Sequence, residues 1–168
     1  MKIHFIAALL AAAAALAPET GRYRAEWLLA DANARLAAAL RGHATSASVE
    51  VALDEARRAM SALPADPRPP FAASTALLML KRSAEAKAVL ERALAAGERP
   101  ELTLNLGRAR GTLGDEQGAQ AAFLRTAWAS PAAIATLPSS MRTTLREQVR
   151  ALEQDLRAGR LAQAPPLG

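Results

Sequence analysis

The sequence predicts an all-α protein built from helix-turn-helix repeats, and three observations carry the prediction. Hydrophobic residues make up 51% of the 168 positions and aromatics only 4%, because most of the apolar share is Ala and Leu. Small helix formers in such excess favour closely packed helices over sheets. Val and Ile are scarce and no stretch alternates apolar and polar residues for long, so strand signals are nearly absent. Small and apolar residues also recur at a fixed step through the middle of the chain, as repeats require. One domain of roughly 150 residues buries about 70% of its unfolded surface and needs no staple. The chain has no Cys, which removes disulfides, thiolate metal sites and Cys nucleophiles together.

The first stretch, "MKIHFIAALLAAAAALAPET", has one Lys, an apolar run from Ile3 to Ala17 and a polar break at Pro18 to Thr20. This reads as a secretory signal peptide over residues 1–17, with several Ala-x-Ala triplets as cleavage sites. The run is short of the roughly 20 residues of a comfortable span, so no stable membrane span is expected after cleavage. An uncleaved N-terminal anchor and a buried first helix are the alternatives. The expected location is periplasmic or secreted.

Residues 18–160 read as a helical domain. "RYRAEWLLADANARLAAALRG" places apolar residues at Trp27, Ala30, Ala34 and Leu36 to Leu40, a helix of about 18 residues that Gly42 ends. "GHATSAS" is a loop, with Ser48 as N-cap and Glu50 in the first turn of a helix running to about Leu63. "PADPRPP" stops that helix. Two shorter helices follow, near Phe71 to Leu80 and Ala84 to Ala96, with Gly97 as the stop.

In "RPELTLNLGRARGTLGDEQGAQAAFLRTAWASP", Pro100 occupies a first helical position and Glu101 suits the positive end of the helix dipole. Leu102, Leu106, Ala109 and Leu113 share one face. Gly114-Asp115 makes a turn with Asp115 as N-cap, and Ala119, Ala122, Phe123 and Thr126 form the inner face of a second helix that Pro131 closes. The last helix, "SSMRTTLREQVRALEQDLRAG", carries a stripe of Met141, Leu145, Val149, Leu152 and Leu156 opposite a polar face. It reads as the capping helix of a repeat array, with a coiled-coil partner site as the alternative. Residues 161–168, with Pro165-Pro166, are expected to be a disordered tail.

The register recurs. Ala86, Leu90 and Ala93 precede Ala119, Phe123 and Thr126 by 33 residues, and Phe71, Ala73, Ser74, Ala76 and Leu80 precede Leu104, Leu106, Gly107, Ala109 and Leu113 by the same step. Ala56, Met60 and Leu63 repeat the second-helix pattern at a step of 30. Asn105-Leu106-Gly107, Ala109, Gly114-Asp115, Ala119, Phe123 and Pro131 together resemble a tetratricopeptide repeat (TPR), a helix-turn-helix family. Thr103 stands where the family has Trp, and Arg110 where it commonly has Tyr. The resemblance implies a solenoid of about two to three repeats, over about 110 residues.

No chemistry of catalysis stands out. His43 is the one imidazole beyond the signal segment and sits in a polar loop as a surface residue; Asp115-Glu116 are adjacent residues at a helix start that point apart. Gly107, Gly111 and Gly114 lack the apolar setting of a membrane GxxxG and the strand of a phosphate loop. Trp27 and Trp128 read as core or repeat-junction residues. No enzyme, metal or cofactor is expected. The net charge of +5 comes from Arg interspersed with acids, a solvated helix surface rather than a nucleic-acid patch.

The resemblance implies an exported, protein-binding scaffold or adaptor. A peptide or protein segment would lie in the concave groove, and proteins of this kind often serve secretion, pilus or exopolysaccharide machinery. The family pattern directs Glu101, Leu104, Asn105, Arg108 and Thr112 to that groove, with Arg68, Phe71, Thr75 and Met79 from the preceding repeat. There Asn105 would bond a peptide backbone, Arg108 would pair bidentately with a carboxylate, and Phe71 with Met79 would offer an apolar seat. Direct binding of an anionic exopolysaccharide through Arg side chains is the rival reading.

Overall fold

The computed structural model describes the backbone of residues 2–167 and the side chains of residues 19–167. The expected signal peptide and His4 fall on residues 1–18, whose side chains lie outside the described residues. Among the described residues the chain is an all-α helical repeat protein without strands. Its helices are α1 (Lys2–Leu40), α2 (Ser46–Ala62), α3 (Arg68–Met79), α4 (Ser83–Ala96), α5 (Pro100–Thr112), α6 (Glu116–Ala129) and α7 (Ser139–Arg157), with a 3₁₀ turn at Ala133–Thr136 before α7. The chain divides into two compact units, Met1–Ala72 and Ala73–Gly168, and the division falls inside α3. Among the described residues, no helix is long and apolar enough to cross a membrane.

In the first unit α1 packs on α2. The helix runs through the Pro18 to Thr20 break without a stop. Its buried stripe is Ala25, Leu29, Ala32 and Leu36, facing Val49, Ala52, Leu53, Ala56 and Ala59 of α2. The stripe expected from Trp27, Ala30 and Ala34 is instead exposed, and Trp27 is 68% accessible, so it is neither core nor junction. In an Ala-rich helix several stripes are apolar; α2 closes on the Ala and Leu stripe, which admits near approach. Gly42, with φ +76°, turns the chain out of α1, and the His43 N–H closes on the Ala38 carbonyl at 2.9 Å. The N-cap of α2 is Thr45, not Ser48: Thr45 Oγ1 accepts from the Ser48 backbone N–H at 3.3 Å. The prolines that end α2 also start α3, where Pro69 and Pro70 occupy the first turn and their missing N–H groups cost nothing.

The second unit is organised by the α5–α6 hairpin. Pro100 opens α5, and Leu102, Leu106 and Ala109 are buried as the spacing predicts. Leu113 is exposed, because it is the C-cap residue and the chain has already left the helical register there. Gly114 takes φ +82°, and the Asp115 carboxylate accepts the Gly118 N–H at 2.9 Å. Ala119, Ala122, Phe123 and Thr126 are all buried. Two glycines set the crossing. A Cβ on Gly107 would lie 2.5 Å from the Phe123 ring, whereas one on Gly111 would meet the Ala119 Cβ at an ordinary 3.6 Å.

Leu104, Ala119, Phe123, Ala127, Ile134, Leu137 and Leu145 form one core cluster, closing α7 onto this hairpin. Of the α7 stripe only Leu145 is fully buried; Val149 and Leu152 are half-buried, and Met141 and Leu156 are exposed. The segment after Gly159 is irregular, but Pro165 is buried and carbonyls of the segment accept hydrogen bonds from α5 and α6.

Candidate peptide-binding site

The residues expected to line a groove divide into three groups. Arg68, in the first unit, is spent locally. Its guanidinium bonds both oxygens of Asp66, at 2.5 to 3.0 Å, and both of Glu26, at 2.5 and 3.0 Å. These contacts hold the Asp66 carboxyl below its usual range and raise the Arg68 pKa, in each case chiefly through the side-chain hydrogen bonds. Phe71, also in the first unit, is exposed.

Leu104 and Asn105 are not groove residues here. Leu104 is 6% exposed and belongs to the core cluster around Phe123. Asn105 is 1% exposed, and its amide donates to Ser74 Oγ at 3.2 Å and Thr75 Oγ1 at 3.1 Å. Its carbonyl accepts from Arg108 at 2.9 Å. Asn105 therefore ties α5 to the second-unit part of α3 and has no free amide for a peptide. Small hydroxyl residues on α3 are what make room for this bond.

Arg108 is the centre of what remains. One guanidinium nitrogen donates to Asn105 Oδ1 and the other to Thr136 Oγ1 at 2.6 Å, on the 3₁₀ turn. Both acceptors are neutral, and no carboxylate pairs with this cation among the described residues. Burial lowers the Arg108 pKa, which is the signature of a partly desolvated cation lacking a counter-charge. Around it, Glu101 and Thr112 are exposed, while Thr75 and Met79 are half-buried. Thr112 Oγ1 already donates to the Arg108 carbonyl at 2.9 Å.

A second concavity was not foreseen. A groove of about 480 Å³ runs between α6 and α7, floored by Ala119, Phe123, Met141 and Leu145 and rimmed by Glu116, Gln120 and Gln148. Gln148 Oε1 is buried there without a hydrogen-bond partner among the described residues. The signal for it lay in the α7 stripe: five apolar residues on one helix are more than one neighbouring helix covers.

Elsewhere, His43 lines a shallow depression on the α1–α2 turn with Asp31, Arg35 and Thr45. Arg35 bridges Asp31 and Glu55 at 2.9 and 3.2 Å. No group of three His, Cys, Asp or Glu among the described residues is placed to hold a metal. Trp128 is half-buried on α6.

Comparison with known proteins finds no match to a family model, a curated protein or a solved structure. The class that stands is an all-α helical repeat protein.

Proposed function

We propose that this chain is a non-catalytic, exported scaffold of TPR type that holds a peptide or protein segment of a partner. The observation that carries the reading is Arg108, a half-buried guanidinium whose hydrogen bonds go only to neutral oxygens. A carboxylate arriving from a partner would supply the missing counter-charge through a charge-assisted bond, so the segment bound is acidic. Thr75, Met79, Glu101 and Thr112 flank that seat. The apolar run from Ile3 to Ala17 supports export to the periplasm or medium, with an uncleaved anchor as the other form of the same signal. Service to an envelope assembly such as secretion, pilus or exopolysaccharide machinery is the setting such scaffolds suggest. The polysaccharide reading loses ground, because Arg35, Arg68, Arg82, Arg125, Arg157 and Arg160 are each paired with a carboxylate.

The test is an array of acidic peptides probed with the purified chain. Arg108→Glu is expected to weaken the best binders by about 2 kcal/mol or more, as losses at partly buried charged contacts do. Arg146→Glu, the same charge change on the exposed face of α7, is expected to leave them unchanged. Equal weakening by both variants would mean unspecific charge attraction, and no weakening by Arg108→Glu would remove the site.

A further inference from the structure

The last described residues of the chain are held through their main chain. Arg110 Nη1 donates to the Leu167 carbonyl at 2.7 Å, and Arg125 Nη1 donates to the Pro165 carbonyl at 2.9 Å. Both contacts are made to main-chain carbonyls of a non-helical segment, so the two guanidiniums recognise its backbone. Both cations are set in place beforehand. The Arg110 side chain is only 10% exposed, donates also to the Gly118 carbonyl at 3.3 Å, and lies 3.7 Å from Glu91. Glu98 takes the Nε and Nη2 of Arg125 at 2.6 Å each, which leaves Nη1 for the bound chain. Pro165, whose carbonyl Arg125 holds, is itself buried.

Proline at that point has a physical reason. A buried residue of any other type brings an N–H that needs an acceptor, and an unpaired one is costly; Pro165 and Pro166 bring none. The Pro165 carbonyl is served by Arg125. The helical spacing of α6 puts Gly118 and Arg125 on the face opposite Glu116, Gln120 and Phe123, so this seat is separate from the α6–α7 groove. It is also separate from Arg108.

We propose that Arg110 and Arg125 form a binding seat for a non-helical, proline-containing peptide, filled in this structure by residues 164–167 of the same chain. A tethered segment competes at an effective concentration in the millimolar range, so a free peptide enters well only when the tail is expelled. The tail is expelled by Pro165→Lys in the full chain, which puts a cation beside Arg125 where a buried ring had been.

A fluorescein-labelled synthetic peptide of residues 161–168 is then titrated against the wild-type chain and Pro165→Lys, with far-UV circular dichroism to show that both remain helical. Binding to Pro165→Lys is expected to be at least tenfold tighter than to wild type. Arg125→Ala in the Pro165→Lys chain should abolish that gain; Arg125→Lys, which keeps the charge but replaces three separately placed nitrogens by one, should reduce it and serves as the second variant where the alanine chain does not fold. A peptide with both prolines replaced by alanine should bind at least tenfold more weakly. Equal affinity for wild type and Pro165→Lys, no binding to Pro165→Lys, or binding indifferent to Arg125 overturns the proposal. None of these outcomes depends on Arg108.

Discussion

The α1–α2 and α5–α6 hairpins reach the same antiparallel arrangement by different packing. In α5–α6 a single glycine, Gly107, receives the Phe123 ring, and a three-residue connection ending in the cap Asp115 reverses the chain. In α1–α2 the seam among the described residues is spread over Ala25, Ala32, Ala52, Ala56 and Ala59 interleaved with Leu29, Leu36 and Leu53, without glycine or aromatic. The first solution concentrates the fit at one contact, and the second divides it among many small ones. Substitutions should therefore act sharply in one hairpin and diffusely in the other.

The largest expected effect is at Gly107. A methyl group there lies inside the contact distance of the Phe123 ring, which must move into neighbours that already fill the core. Gly107→Ala gains about 1 kcal/mol of helix propensity yet should lose about 1 to 3 kcal/mol net through overpacking. Thermal or urea unfolding measures it. Combining the change with Phe123→Leu should recover part of the loss, because the two sites touch and their effects cannot add. Additive losses would mean that the ring is not what Gly107 accommodates.

Next in size are the caps. Asp115→Ala removes the acceptor for the Gly118 N–H and should cost about 1 kcal/mol. Thr45→Ala removes a longer, exposed bond on α2 and should cost about half of that. Equal losses in unfolding experiments would show that the two turns are equally determined.

The same contrast explains what the sequence made legible. Where the chain punctuates itself, at Pro100, Gly114-Asp115 and the Ala119 to Thr126 face, turn chemistry and periodicity agree and the helices fall where they are predicted. In α1 the composition blurs periodicity, since recurrent Ala leaves more than one stripe apolar and Trp27 no guide. "TSAS" before α2 offers three hydroxyls as caps, and only the geometry selects Thr45. The groove was the least legible part. Asn105 carries the family's residue at the family's position, but its bonding is decided by Ser74 and Thr75, thirty residues away. Arg108 is kept in the proposed seat because its own partners are neutral, a fact no local pattern records.

A smaller effect, of opposite sign, is expected at Gly111. It sits one helical turn after Gly107, and a Cβ there meets Ala119 at an ordinary van der Waals distance. Gly111→Ala should therefore stabilise the chain by about 0.5 to 1 kcal/mol through propensity and reduced freedom of the unfolded chain. If it destabilises, the hairpin needs two glycines and its tight contact extends along the whole crossing.

The smallest effect separates the two regions by pH. In α1–α2 the Glu55 carboxyl is held above its usual range, first by burial and then by its hydrogen bond with Asp31, against the attraction of Arg35. A raised acid contributes stability that is fully present below its unfolded pKa and is lost as pH rises through the folded one. Glu98, bonded by Arg125, is held below its usual range, so its contribution is present above the unfolded pKa and is lost as pH falls through the folded one. Acidification from neutral to about pH 4 thus favours Glu55 and weakens Glu98. Because the Glu98 pair is partly exposed, solvent screening limits it to about 0.2 to 1 kcal/mol. Melting temperatures at the two pH values should show Glu98→Gln losing less on acidification than wild type, and Glu55→Gln losing more. A shift of both variants in the same direction would mean that the two carboxylates do not carry opposite signs.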